Sequence, residues 1–220
     1  AKNLVPKFFD ETGTTYDGVV SYGTLGKDKY WKRKILEQIS DGSSFLDLAC
    51  GTGILTREIA GKFPSAKIVG IDITQSYLDV ARKNSNSCDN ISFILDDAEK
   101  FKMDSKFDYI TASYLPKYCD PEILVKNCIV HLKPSGKIIF HDFTYPKNPV
   151  VRGLWNFFLT LLRLVGCFIP SWKDALIGLP KLIRRTEWLD NYSDVMKKSG
   201  LDVNSQYLTY GASAILTGTK

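Results

Sequence analysis

Of 220 residues, 44% are hydrophobic and 24% charged, an ordinary balance for a soluble globular protein of one domain with a full core. Five cysteines, none in a Cys-x-x-Cys or Cys/His spacing, argue against a metal site, and their odd number with no legible secretory leader is expected of a reducing, cytoplasmic compartment. The formal charge of +5 is concentrated: residues 151–185 hold Arg152, Arg163, Lys173, Lys181, Arg184 and Arg185 against the single acid Asp174, which accounts for the whole surplus.

After an extended start, Trp31, Ile35 and Ile39 recur at helical spacing and predict a helix over 28–39. A strand over 44–49 runs into a turn holding Gly51 and Gly53, then a helix over 53–63 and a strand over 67–72 that ends at Asp72. A helix over 75–85 and strands over 91–95 and 107–113 follow. Asp120-Pro121 pairs an N-cap acid with a first-turn proline and opens a helix over 121–132. Pro134-Ser135-Gly136 reads as a turn into a strand over 136–142. Runs 201–208 and 212–219, separated by a few residues including Gly211, predict a C-terminal hairpin. Alternation of this kind implies an α/β, doubly wound, mostly parallel sheet closed by an antiparallel pair.

The stretch 154–169, ahead of Pro170, is dense in apolar residues, with Asn156, Thr160 and Arg163 forming one narrow polar stripe. It is too short and too polar for a membrane span. Two readings stand side by side. One is a core or lid helix. The other is a helix at a membrane interface or lining a lipid tunnel, with Trp155, Phe157, Phe158 and Trp172 in the acyl boundary and the basic residues on anionic headgroups.

Gly51 and Gly53 bring a backbone turn close to a ligand at a helix N-terminus, and Asp72 offers a carboxylate to ribose hydroxyls. A dinucleotide fingerprint wants a small residue at position 56, where this chain has Thr56. Asp47, read as lying inside the turn, repels a pyrophosphate but suits an amino-acid ammonium group. That combination points to S-adenosylmethionine; a tight strand–helix turn with a capping acid is the plainer alternative. The spacing Asp-x-x-x-Gly-x-Gly resembles the first motif of class I methyltransferases, with Ala49 where many members have another glycine. Asp97, preferred over Asp96, is placed at the adenine amino group beside Ala98, and Ile73 on the adenine face. Ser113 and Tyr114 stand at the carboxyl end of the fourth strand, where such sheets place ligands.

Tyr16-Asp17, Ser21-Tyr22-Gly23 and Tyr30-Trp31-Lys32-Arg33, followed by the 47–53 motif, Asp97-Ala98-Glu99, Leu132-Lys133-Pro134-Ser135-Gly136, Asp142-Phe143 and the run from Leu208 to Lys220, resemble the ubiquinone/menaquinone biosynthesis C-methyltransferases over nearly the whole chain. The resemblance implies a seven-stranded Rossmann-like sheet in one domain, an N-terminal cover over 1–40 and a lid or membrane-facing insertion over 150–185. It adds Tyr16, Tyr22 and Lys32 to the cofactor site and implies C-methylation of an electron-rich hydroquinone ring. Where the family shows arginine then asparagine, this chain has Lys117 and Tyr118; lysine keeps the charge without the planar fork. Lys117 is then the candidate phenolate partner, with Tyr114, Tyr22 and Asp142 near the mouth. His141 is a further candidate, or a satisfied strand-end histidine; His131 is read as a helix cap and excluded. The implied partner is a lipophilic small molecule, with membrane-surface contact through 151–185. A homodimer is left open and no nucleic acid is expected. An O- or N-methyltransferase of the same fold and a catalytically silent cofactor-binding subunit are the alternatives.

Overall fold

The first strand of the sheet shows how the core is divided. Alternate side chains of a strand point to opposite faces, and a parallel sheet is covered on both, so its strands are apolar throughout. In β1 (Ser44–Leu48), Leu46 and Leu48 join one core with Ile71, Ile110, Phe140 and Leu216, while Phe45 joins another with Ile68, Tyr109, Ile139 and Ile215. This is a computed structural model, and it describes residues 12–13, 15–166 and 172–220.

The elements that follow are α1 (Tyr16–Gly23) and α2 (Lys27–Leu36) ahead of β1, then α3 (Ile54–Lys62), β2 (Lys67–Asp72), α4 (Gln75–Asn84), β3 (Ile91–Leu95) and β4 (Phe107–Ser113). The second half holds α5 (Pro121–His131), β5 (Leu132–Phe143), α6 (Pro149–Gly166), α7 (Lys173–Arg185), α8 (Trp188–Lys198), β6 (Asp202–Leu208) and β7 (Ser213–Thr219). Helices α2 and α3 cover the Phe45 face, and α5 and α8 the Leu46 face.

The seven strands run in the order β3-β2-β1-β4-β5-β7-β6. The first five are parallel; β7 is antiparallel to both β5 and β6. Strand order therefore reverses between β1 and β4, and the crevice at their carboxyl ends is where such sheets hold ligands.

The strand and helix expectations through residue 131 agree with these bounds to within a few residues, and Asp120 caps α5 by accepting from the Glu122 and Ile123 amides. The turn expected at 134–136 lies within the span of β5: the ladder pairs Phe107 with Leu132, loops out through Ser135 at φ 60°, and resumes at Tyr109 with Lys137. The extended start is corrected, because α1 is helical. Gly18, Gly23 and the β-branched Val19 and Val20 give it poor helix propensity; it is ordered by Tyr16 and Val19 packing on Trp172 and Ala175. Helices α7 and α8 were not expected. Pro180 and Gly178 mask the periodicity of α7, whose Leu176, Leu179 and Ile183 face inward. The end of the expected apolar run, 167–169, and its stop at Pro170 lie outside the described residues. Among the described residues, no helix is long and apolar enough to cross a membrane.

The amino end of the sheet is tied by Asp108, which accepts from the Ser43 and Ser44 amides at 3.0 and 2.9 Å, the Ser44 hydroxyl at 2.8 Å and Lys133 Nζ at 3.0 Å. Partial burial would raise this carboxyl, but the bonds from Lys133, Ser43 and Ser44 hold it down at about 2. Its stabilisation is complete above the free value of 3.8 and is lost as pH falls through about 2. Asp108→Ala is expected to cost about 2 kcal/mol at neutral pH. Urea denaturation of both proteins should show that gap closing across the same window; a gap unchanged at the acid end would assign the effect elsewhere.

Candidate active site

The chain leaves β1 through three left-handed residues, Ala49, Gly51 and Gly53, at φ 52°, 56° and 77°. At Gly53 a Cβ would stand 3.2 Å from Ala81 Cβ and 3.3 Å from the Phe93 ring, so both conformation and space require glycine. Gly51 lies in the wall of a cavity, its N–H donating to Asp72 Oδ2 at 2.8 Å, while Asp72 Oδ1 accepts from the Thr74 amide at 2.9 Å. One carboxylate thus spans the loops after β1 and β2. Burial raises the Asp72 carboxyl, and these amide bonds oppose the rise.

The cavity holds about 470 Å³, a size that suits small-molecule ligands. Its sheet end is formed by Ala49, Gly51, Asp72, Ile73, Asp97 and Ala98, with Asp96 beside them. Its far end is apolar, built by Trp155, Phe158 and Leu162 of α6 and Leu176, Leu179 and Ile183 of α7. Ser113, Tyr114, Lys117 and Trp31 lie in the wall as well, and Tyr16 and the exposed Tyr22 bring α1 to it.

The remaining sequence candidates, Asp47, Gly53, Lys32, His141 and Asp142, are not in the wall of this cavity. Asp47 sits within β1, not inside the turn. Its Oδ2 accepts from Thr56 at 2.6 Å and its Oδ1 from Thr111 at 2.8 Å, so Thr56, the residue that speaks against a dinucleotide, is its partner. Burial raises this carboxyl to about 6 despite both hydroxyls. Lys32 pairs with Asp28, whose Oδ1 also accepts from Tyr114 OH at 2.7 Å. His141 lies between Ser113 Oγ at 2.9 Å and Ser213 Oγ at 2.7 Å. Burial pushes its imidazole well below 6.5, and it stands neutral.

Lys117 and Asp142 form a buried pair. The Lys117 amide donates to Asp142 Oδ2 at 3.0 Å, and Nζ donates to Oδ1 at 2.8 Å and to the Tyr114 carbonyl at 2.5 Å. Burial pushes the amine down and the carboxyl up, each opposed by the other's charge. Tyr114 itself is held at φ 67°, its ring stacked on Phe143 at 5.0 Å.

Several wall residues went unassigned in the sequence. Trp31 donates to Thr209 Oγ1 at 2.7 Å and packs on His141 and Phe143; its helical spacing marked it as core, and nothing local says which face meets a ligand. Tyr77 shares a 2.6 Å hydrogen bond with Thr12 Oγ1, and Thr52 donates to Asp17 at 2.5 Å, tying α1 to the turn. Trp172, expected at an acyl boundary, is 4% exposed and donates to Thr15 Oγ1 at 2.9 Å. Trp155 and Phe158 likewise line the cavity; of those four aromatics only Phe157 is an exposed side chain of α6.

A mostly parallel seven-stranded sheet with β7 inserted antiparallel, a glycine turn after β1 and an acid ending β2 define a class I S-adenosylmethionine-dependent methyltransferase. Solved structures agree on the fold. A putative methyltransferase from Haloferax volcanii, determined with its Trm112 activator, superposes with a TM-score of 0.67 at 16% identity, covering 96% of each chain. The N-methyltransferase NodS from Bradyrhizobium japonicum, in complex with S-adenosyl-L-homocysteine, gives 0.56 at 13% identity over 87% of this chain and 86% of that one. The chain belongs to the ubiE/COQ5 methyltransferase family, whose model matches residues 1–220. It is 29% identical to the ubiquinone/menaquinone biosynthesis C-methyltransferase UbiE of Hahella chejuensis, covering 98% of this chain and 91% of that protein. It is 28% identical to the demethylmenaquinone methyltransferase of Lactobacillus johnsonii, over 99% and 95%. The family and fold imply S-adenosylmethionine as methyl donor.

Asp47 supplies a test of the support behind the turn. Its raised pKa makes the wild-type protein lose stability as pH rises from 3.8 through about 6. Asp47→Asn, which has no proton to lose, is expected to show a flatter thermal-melting profile across that window. Parallel profiles for the two proteins would count against a carboxyl raised by burial at this position.

Proposed function

We propose that this chain methylates a ring carbon of a prenylated hydroquinone of the demethylmenaquinol or demethylubiquinol type, at the junction of the two ends of its cavity. One observation carries the reading: a single cavity joins Gly51 and Asp72 to an apolar chamber, with Lys117 and Tyr114 in the same wall. The names of the full-length relatives support the same acceptor class.

The residues at the sheet end fit an adenosyl group. A Cβ on Gly51 would be 3.7 Å from the Tyr77 ring and 4.0 Å from Tyr16, taking up space on the cavity side of the turn. Asp72 would hold the ribose hydroxyls, Ile73 the adenine face, and Asp97 the exocyclic amine. Asp47 would contribute by keeping α3 and β4 in place behind the turn. When bound, S-adenosylmethionine supplies an electrophilic methyl group, so the protein's work is alignment, water exclusion and handling of protons.

A hydroquinone ring becomes a carbon nucleophile when its hydroxyl loses a proton. Lys117 is suited to that role, because burial lowers its pKa and Asp142 holds its amine. The hydroxyl proton would pass to the Lys117–Asp142 pair. The ring carbon would bond the methyl as the methyl–sulfur bond breaks. The pair would return its proton to the ring oxygen as it takes up the ring carbon's own hydrogen, restoring aromaticity and releasing that one proton to solvent with the product. Tyr114, whose hydroxyl donates to Asp28, acts as a positioning residue through its carbonyl on Lys117. The apolar chamber of α6 and α7 would receive the prenyl tail and keep water from the reacting carbon.

Incubation of the purified chain with a demethylated quinol and methyl-labelled S-adenosylmethionine should place the label on a ring carbon by mass spectrometry. Lys117→Met combined with Asp142→Asn, which leaves no buried charge unpaired, is expected to lower kcat about 100-fold or more with cofactor affinity unchanged. Asp72→Ala should weaken calorimetric binding of the cofactor about tenfold or more. Label on oxygen, or unaltered turnover in the double variant, would overturn the respective assignments.

A further inference from the structure

A second cavity, of about 230 Å³, adjoins the first, and Lys117 and Cys119 stand in both walls. The buried Trp188 and Tyr192 of α8 line its interior, while Arg185, Glu187 and Asn191 are exposed and give it a polar mouth. Trp188 is satisfied, its Nε1 donating to the Phe143 carbonyl at 2.7 Å. Tyr192 is not. Its ring packs on Phe140 at 5.3 Å and the residue is 0% exposed, yet among the described residues its hydroxyl has no hydrogen-bond partner. A buried hydroxyl is rarely left unpaired, and in a polar cavity with room for several waters the partner it takes is solvent. Burial pushes the Tyr192 pKa up, and Cys119, Cys128, Glu99 and Asp142 add to the rise. Those neighbours put the hydroxyl on the side of the Lys117–Asp142 pair.

We infer that the second cavity holds a short chain of water bonded to the Tyr192 hydroxyl, and that this chain carries the proton of each methyl transfer from the Lys117–Asp142 pair to solvent. The inference rests on the proposed part of that pair in proton transfer, and it holds for any acceptor that gives up a proton on methylation. At the end of each transfer the pair holds one proton. It passes to the nearest water, which hands one of its own to the Tyr192 oxygen as the tyrosine hydrogen moves to water nearer the mouth. Pair and hydroxyl are then as they began, and one hydronium has reached solvent. The first cavity offers no comparable way out, because once cofactor and acceptor fill it the far end is an apolar wall of α6 and α7. Tyr192 is thus a positioning residue that acts on the pair through water, and touches neither acceptor nor cofactor.

The test follows successive turnovers of the purified chain by rapid quench, with methyl-labelled S-adenosylmethionine and a short-tailed demethylated quinol. Two variants interrupt the path: Tyr192→Phe removes the relay hydroxyl, and Asn191→Trp sets a large ring at the mouth. In both, the first methyl per enzyme should form at the wild-type rate, because the pair starts free of that proton. Later turnovers should slow about tenfold. Added imidazole, small enough to enter the cavity and take up a proton, should restore Tyr192→Phe. That variant deletes an unpaired buried hydroxyl, so its melting temperature should equal or exceed wild type, and a tyrosine serving the core alone would show no loss of turnover. Wild-type turnover in both variants would overturn the inference. So would a first turnover slowed as much as the rest, which would assign Tyr192 to the packing of the pair. A high-resolution crystal structure of the chain should show ordered water on the Tyr192 hydroxyl within the second cavity, and a hydroxyl with no water there would overturn the inference as well. The crystal needs no acceptor, so a hydrated cavity in a chain that methylates no quinol refutes the function and leaves the water chain standing.

Discussion

The carboxylate of Asp72 is the contact on which the site is assembled. The chain turns twice at the carboxyl edge of the sheet, after β1 and after β2, and backbone amides at both turns lack ladder partners. Asp72 accepts one from each, through Gly51 and Thr74. A carboxylate accepting two amides while buried costs desolvation and recovers much of it in charge-assisted bonds. Because the same side chain lies in the cavity wall, the geometry of the glycine turn and that of the cavity's sheet end are one arrangement.

Asp47 shows how position within a strand changes a residue's work. One strand residue earlier than the turn, it is enclosed by Thr56 and Thr111 and joins α3 to β4 through β1. The Lys117–Asp142 pair follows the same logic at the other end of the crevice. Both side chains are nearly inaccessible, at 2% and 0% exposure, and each is satisfied by the other and by backbone. Buried pairs of this kind contribute little net stability, since desolvation consumes most of their attraction. What they provide is a titratable amine held at a set place beside an apolar chamber.

The insertion between β5 and β6 departs most from a minimal sheet-and-helix sandwich. Its helices close the cavity from above with Trp155, Phe158 and Ile183, and anchor α1 through Trp172. Helix α1 is therefore ordered by these contacts as much as by its own sequence, which is rich in glycine and β-branched residues. Helix α1, Trp172 and the glycine turn meet around Tyr16 and Tyr77, whose rings lie 5.0 Å apart.

By itself the sequence determined the alternation of strands and helices, the capped start of α5, the C-terminal hairpin and the glycine turn with its acid at Asp72. Each is a local signal: a period, a cap, a turn residue or a short motif, carried by neighbours in the chain. It also showed that 151–185 is basic and apolar together. Only the tertiary structure decided which side of α6 faces the cavity, because a helix apolar over much of its circumference has no period that distinguishes a lining from an outer surface. Tertiary contacts likewise placed Asp47, Lys32 and His141 behind the wall and Lys117 within it, and made α1 a helix. Those assignments depend on partners far along the chain, Thr111 for Asp47, Ser213 for His141, Asp142 for Lys117 and Trp172 for Tyr16. No local pattern encodes which distant side chain will occupy a carboxylate, an imidazole or an amine; that is settled when the sheet closes.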